Sequence, residues 1–281
     1  MAHTQQERYS QLVDIKLRAT LVKRDGVVFN NRYEGSPKAG SVKVPVRDTE
    51  VTVADYNKTT GVSATTGTTT YLTVTIDKDK SVNEIIDGYD AASVPANLVA
   101  DRLDSAGYSL ALQVDKDASA VLESKATRLG NATALTNTTI YNAIVDARTA
   151  LSKAYVPNDG KRWLLVSPDV YALVLKSPEF IKASDLGDSV VQTGAVGKIA
   201  GFLVFEDATL AATTEFIAGH PNWCTRIREW SVPVHNQDIN GSGTYIGATA
   251  VQGRMVYAHA VTKPSTLRIK STAAVSQGSD G

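Results

Sequence analysis

Cysteine is nearly missing from this sequence: Cys224 is the only one in 281 residues. An intrachain disulfide and a cysteine-built metal cluster are both excluded, and Cys224 reads as a small buried apolar side chain. Neither sign of charge is in surplus. Lys plus Arg and Asp plus Glu each total 29, for a formal net charge of zero. A chain that grips nucleic acid through its phosphates carries a basic excess, so direct DNA or RNA binding is not expected, whereas a neutral balance suits self-association. No apolar run approaches the roughly 20 residues of a membrane helix. The N-terminal stretch has no signal-peptide core, so the expected compartment is the cytoplasm and no membrane partner is expected. Aromatic residues make up only 7%. Trp163, Trp223 and Trp230 are expected in the core or between lobes and not as a base-stacking platform. Asn-x-Ser/Thr triplets beginning at Asn57, Asn131, Asn137 and Asn240 reflect a Thr-rich composition and not glycosylation.

Chemical motifs are also short. The stretch 194–201 has the glycines of a phosphate loop, but Ile199 follows Lys198 where Ser or Thr is needed, and a strand follows where a helix should. Asp77 and Asp79 alternate as in a calcium loop, yet Val82 and Gly88 stand where Gly and Glu are required. This segment is expected to be a solvated corner between a strand and a helix, with Asp115 and Asp117 on the polar side of a later helix. His3, His220, His235 and His259 show no metal-ligand spacing. His220, in Gly-His-Pro-Asn-Trp, suits a tight surface turn. There is no Gly-x-Ser-x-Gly elbow, and no carboxylate pair stands out for glycoside chemistry. No catalytic residue, cofactor site or metal site is expected.

What is present is an ordered series of elements. A polar arm over 1–35 carries a short predicted helix at 6–22, with Leu12, Ile15 and Leu21 as its apolar points. Val42, Val44 and Val46 alternate with polar residues, Val51 and Val53 continue the pattern, and Leu72, Val74 and Ile76 alternate on the return, which predicts a long hairpin over 41–76. Its polar middle, 56–70, can bury little of itself. Two strands alone are marginal in water, and the sequence offers this pair no strand neighbour of its own, which points to a partner subunit. Ser81 and Glu84 form a capping box predicting a short helix to Gly88. Pro95 opens a helix to Lys125, about 45 Å long at 1.5 Å per residue. Its apolar face is Val99, Leu103, Ala106, Leu110, Val114, Ala118 and Val121. Thr136 is placed as the cap of a third helix. Residues 163–166 form a buried strand, Ser167-Pro168 and Ser177-Pro178 start helices, and 199–205 and 216–218 are strands, so 157–225 forms an α/β lobe. Strands return at 232–234, 244–248 and 255–261 around the turn 240–243, and the tail from Ser271 is expected to be disordered.

This succession resembles the Hong Kong 97-type fold of tailed-phage major capsid (coat) proteins. The resemblance is carried by YEGSPKAGSVKVPVRDTEVTVADYNK in the loop region, SVNEIIDGYDAASVPANLVADRLDSAGYSLALQVD into the long helix, WLLVSPDVYALVLKSPEFIKASDLGD and VGKIAGFLVFED in the lobe, and GHPNW with REWSVPV on the return. It covers roughly 5–270 and implies an α+β fold. The parts would be an N-terminal arm (1–38), an extended β-hairpin loop (39–80), a peripheral domain (81–156 and 227–270) with a spine helix at about 95–125, an axial α/β domain (157–226) and a flexible tail (271–281). It implies a non-enzymatic protein that assembles with itself, through pentamers and hexamers, into an icosahedral head shell around double-stranded DNA. The shell would be built in the bacterial host cytoplasm and end in the virion, with portal, decoration and separate scaffolding proteins as further partners. No long scaffolding region is expected ahead of the arm, and no crosslinking residue is carried over. Charges on the hairpin, namely Arg47, Asp48, Glu50, Asp55 and Lys58, would set register against a neighbouring copy; each is also compatible with an ordinary solvated strand. An encapsulin-like nanocompartment shell, a Thr-rich tail or adhesin protein, and a hydrolase on the α/β lobe remain as alternatives.

Overall fold

A computed structural model of the chain describes residues 16, 18–36, 39–47, 50–64, 66–67, 69–93, 97–130, 132–178, 197–240 and 244–272. Most of the predicted arm helix, most of the helix after Ser177-Pro178, Pro95, the turn 241–243 and the tail beyond Thr272 lie outside these residues, while Ser271, expected in the disordered tail, is the buried last residue of a strand. Three sheets organise the rest. Strands β1 (Ser41–Val46) and β2 (Thr70–Thr75) form an antiparallel ribbon in which Val44 faces Leu72 and Val42 faces Val74. Strands β3 (Lys78–Asp87), β9 (Cys224–Asp238) and β10 (Ala248–Val261) form a second sheet with β10 central. The third, six-stranded sheet has the order β4-β11-β8-β5-β7-β6, with β4 (Thr127–Arg128), β5 (Trp163–Val166), β6 (Lys198–Ile199), β7 (Phe202–Glu206), β8 (Thr214–Gly219) and β11 (Arg268–Ser271).

Helix α1 spans Gly88–Ser93, and α2 spans Leu98–Lys125, 28 residues or about 42 Å. Asn97 caps α2, its side chain accepting from the Ala100 amide at 3.2 Å. Its N-terminal half packs Val99, Leu103 and Ala106 against Val82, Ile86, Val234 and Val251 of the three-stranded sheet. Its C-terminal half buries Ala118 and Leu122 with Trp163, Leu165, Ile217 and Ile269 on one face of the six-stranded sheet. The opposite face, Leu164, Val166, Phe216 and Ala218, is covered by helices α3 (Ile140–Lys153) and α4 (Pro168–Leu175). Both faces of β5 are therefore dry, which is why Trp163-Leu164-Leu165-Val166 is an unbroken apolar run. Packing is close enough here that a Cβ on Gly219 would stand 2.3 Å from Leu267 and 2.6 Å from Trp163.

Several expectations fail for identifiable reasons. The ribbon is supported in part by its own chain: Val44 and Val74 are buried with Ile227 and Ala258 of the β9-β10 pair. A neighbour is thus not needed to hold its root. The capping-box segment is strand, because residues 78–87 pair along their whole length with β10. A local cap contributes about 1 kcal/mol and yields to such a ladder. Asp77 and Asp79 accordingly sit where strand meets strand. Residues 244–247 are not strand, and β10 starts at Ala248. Helix α3 begins after Thr139, one turn later than Thr136 suggested. Residues 16 and 18–24 of the arm are not helical. The expected division at residue 156 is crossed by the packing: α3, β4 and β11 join the axial sheet and its core.

Candidate assembly surface and the polar cluster behind it

Beyond Val46 the described residues of the ribbon are largely exposed. Arg47, Glu50, Asp55 and Lys58 are all exposed, and none is in an ion pair among the described residues. Asp48 lies outside the described residues. A turn holds the far end: Gly61 N–H donates to the Asn57 carbonyl at 2.8 Å, and Thr59 N–H to its side-chain oxygen at 2.8 Å. The expected continuation of the strand through Val51 and Val53 does not form; these side chains are 87% and 94% exposed, and Tyr56 is 75% exposed. β-Branched residues at period two without a strand partner present an apolar edge with nothing from the same chain upon it. The four described charged positions and the apolar ones therefore lie together on one exposed segment.

Elsewhere on the subunit the arm runs beside the spine helix α2. Lys16 pairs with Asp101 at 2.6 Å, Arg18 with Asp104 at 2.5 Å, and the Tyr108 hydroxyl donates to the Ala19 carbonyl at 3.1 Å. Deeper in, the Lys23 ammonium donates to the Asp207 carboxylate and, at 2.6 Å, to the Thr209 hydroxyl; the paired side chains have no solvent exposure. Arg226 donates to Asp25 at 2.9 Å, to the Lys23 carbonyl at 2.9 Å and to His259 Nε2 at 3.0 Å. Asp115, expected on the outer side of the helix, is buried beside Lys23 and Arg226. Burial raises its pKa, an effect that Lys23 partly offsets. Asp117 accepts from Tyr257 at 2.8 Å. The cluster joins arm, spine, three-stranded sheet and axial lobe. On α2 the buried face takes in Asp115 and Ser119 one turn apart beside Leu122, and the Ser119 hydroxyl donates to the Asp115 carbonyl at 3.2 Å.

Other polar positions are structural. Arg102 grips Glu84 with two bonds of 2.8 and 2.7 Å, tying α2 to β3. His220 is wholly buried, against the surface turn expected. Its Nδ1 accepts from the Asn222 amide at 3.2 Å and its Nε2 lies 3.1 Å from Asp159. Trp163 and Cys224 are core residues, but Trp230 is 44% exposed and carries the Arg254 guanidinium 5.4 Å above its ring. No group of three or more His, Cys, Asp or Glu residues among the described residues could hold a metal ion. No helix among them is long and apolar enough to cross a membrane.

His259 gives the cluster a pH dependence. Burial, then the Arg226 charge, lowers its pKa to about 3. Between about 3 and its ordinary 6.5 the unfolded chain binds a proton that the native chain does not, so this histidine's contribution is full above 6.5 and is lost as pH falls. Asp115, raised by burial, works in the opposite sense as pH rises past the ordinary carboxylate range. We expect His259→Gln, which can still accept from Arg226, to flatten the acid slope by up to one proton, about 1.4 kcal/mol per pH unit. Urea unfolding of dissociated subunits from pH 7 to pH 4 measures it, and parallel curves for both proteins would contradict it.

A family model described as phage capsid protein matches residues 84–269. No curated relative matches the chain. Among solved structures, one from Mycobacterium phage Che8 is similar over 95% of this chain and 96% of that one, at 24% identity and a TM-score of 0.80. The capsid of cyanophage P-SCSP1u is similar over 95% and 92%, at 15% identity and a TM-score of 0.79. The capsid of a native GTA particle is similar over 96% and 95%, at 15% identity and a TM-score of 0.66. At these identities the structures establish the fold, an α+β capsid-subunit architecture.

Proposed function

The chain belongs to the phage capsid protein family, and from that premise we propose how it builds a shell. It is a major capsid protein of the Hong Kong 97-type fold whose copies join into the shell of a phage head. The nanocompartment, adhesin and hydrolase readings are not favoured by these matches. In our reading, residues 39–80 act as the extended loop: the root stays on its own subunit while the segment from Arg47 to the turn at Gly61 lies across the spine region of the next copy. Arg47, Asp48, Glu50, Asp55 and Lys58 then select register and partner, and Val51, Val53 and Tyr56 supply the buried contact. Axial lobes meet in five- and six-membered rings, and head-to-tail contacts that close on themselves give a finite shell. A neutral subunit confines double-stranded DNA by enclosure and not by charge, so no base or phosphate site is needed. The work is mechanical and not catalytic. Portal, scaffolding and decoration proteins are the further partners we propose, with assembly in the host cytoplasm.

The observation that carries this reading is the exposed aliphatic and aromatic edge of the ribbon, 87–94% open at Val51 and Val53. Such an edge on an exposed segment is a liability unless another chain covers it. Negative-stain microscopy of the purified protein should show uniform hollow particles; a sharp monomer persisting at high concentration would overturn the proposal.

A further inference from the structure

Tyr155 stands where two unfavourable choices meet. It follows α3 with a φ of 56°, in the left-handed region that glycine normally occupies after a helix. Its side chain is 93% exposed, so the aromatic ring gains nothing from the subunit's own core. The turn that imposes this is held firmly. Val156 N–H donates to the Leu151 carbonyl at 3.1 Å and Tyr155 N–H to the Ser152 carbonyl at 3.0 Å. The buried Arg162 guanidinium donates to the carbonyls of Val156 and, at 3.0 Å, of Pro157, and to the Ser152 hydroxyl at 3.1 Å. An arginine so placed, bonded to carbonyls and a hydroxyl, serves to lock the turn. The strained backbone is over-determined by its surroundings, as at sites where strain serves binding.

The neighbourhood is continuous with the ribbon. A groove of about 670 Å³ is lined by Tyr155, Trp223 and Pro264 and, from the ribbon, by Glu50. The next alternating residues of that segment are the exposed Val51 and Val53. Resting on the shell function proposed for the chain, we infer that Tyr155 is a rigid aromatic anchor for contact with a second copy of this chain. It extends the ribbon's contact surface onto the axial lobe. A tyrosine costs little side-chain entropy to immobilise and is among the residues that dominate interface energies. A locked turn removes the ordering cost that a flexible loop would bring.

Three variants test this. Tyr155→Gly and Tyr155→Asn relieve the backbone and remove the ring, whereas Tyr155→Phe keeps both ring and strain. Closed-particle yield at fixed protein concentration should fall about tenfold or more for the Gly and Asn variants and stay near wild type for Phe. The melting midpoint of the dissociated Gly and Asn subunits should be unchanged or raised. Wild-type yield from either of these two, or lost yield with lowered midpoints in both, would overturn the inference. A subunit lacking residues 56–68 serves as the parallel arm. If it too closes into shells, the ribbon reading itself is at fault; if it does not while Tyr155→Gly assembles normally, only the Tyr155 anchor falls.

Discussion

Removal of residues 56–68 should leave a folded, soluble subunit that forms no closed particles. The segment contributes little to the subunit: its described residues are exposed apart from the half-buried Gly61, and their bonds are those of the turn from Asn57 to Gly61. The root keeps its six-pair register between β1 and β2 and the packing of Val44 and Val74 on Ile227 and Ala258. Shortening a loop changes its closure entropy by only about 0.6 kcal/mol per halving, so circular dichroism and the thermal midpoint should stay close to wild type. Assembly is another matter. Each arm contact is weak, but a closed shell repeats it in every copy, and neighbouring contacts raise one another's effective concentration. Losing the ribbon's far end subtracts from every subunit at once. Size-exclusion chromatography should show monomers or small oligomers where the intact chain gives particles; normal shell yield from the shortened chain would remove the ribbon from any role in assembly.

Asp207→Ala should be the most damaging single substitution inside the subunit. Asp207 and Lys23 have no solvent exposure, and Thr209 donates to the same carboxylate through its amide at 2.9 Å and its hydroxyl at 2.7 Å. Without Asp207 the Lys23 ammonium keeps one hydroxyl partner in an interior that water does not reach. Stranding one member of a buried pair costs about 3–5 kcal/mol, a large fraction of the roughly 5–15 kcal/mol that holds a domain together. Lys23→Met combined with Asp207→Leu should recover most of that loss, since an apolar pair of similar volume needs no compensating charge. Urea midpoints of the three dissociated subunits test the pattern. A single variant costing less than about 1 kcal/mol would mean that the pair is hydrated in solution.

The spine helix was legible because its stripe of Ala106, Leu110, Val114 and Ala118 recurs at helical spacing over many turns, and the buried strand β5 because both its faces are apolar. What misled was local chemistry set against long-range pairing. Ser81 and Glu84 carry the pattern of a helix cap, yet Glu84 is committed to Arg102 and the surrounding residues to β10. Pro221 in Gly-His-Pro-Asn-Trp signals a turn and indeed begins a single 3-10 turn, Pro221–Trp223, but His220 is buried and meets Asp159, 61 residues away. The candidate contact residues were readable as a charged, alternating segment. The strained Tyr155 was not, because nothing in a sequence announces a left-handed tyrosine. The Lys23 cluster was equally hidden, since its members come from distant parts of the chain.

That distance has a consequence for how the molecule is made. Lys23 meets Asp207 across 184 residues, the Lys23 carbonyl meets Arg226 across 203, and Arg128 reaches the Ser271 carbonyl across 143. Contacts of such long sequence separation form slowly. The strand that completes the large sheet beside β4 is the last element described, β11. Arm and spine can meet once α2 exists, through Lys16–Asp101 and Arg18–Asp104, whereas the joints between the arm and the later strands need Asp207 and Arg226. The bonds that tie the arm to the lobe are thus among the last expected to form, and the early ribbon gains its fixed place only when β9 and β10 are there to carry its root.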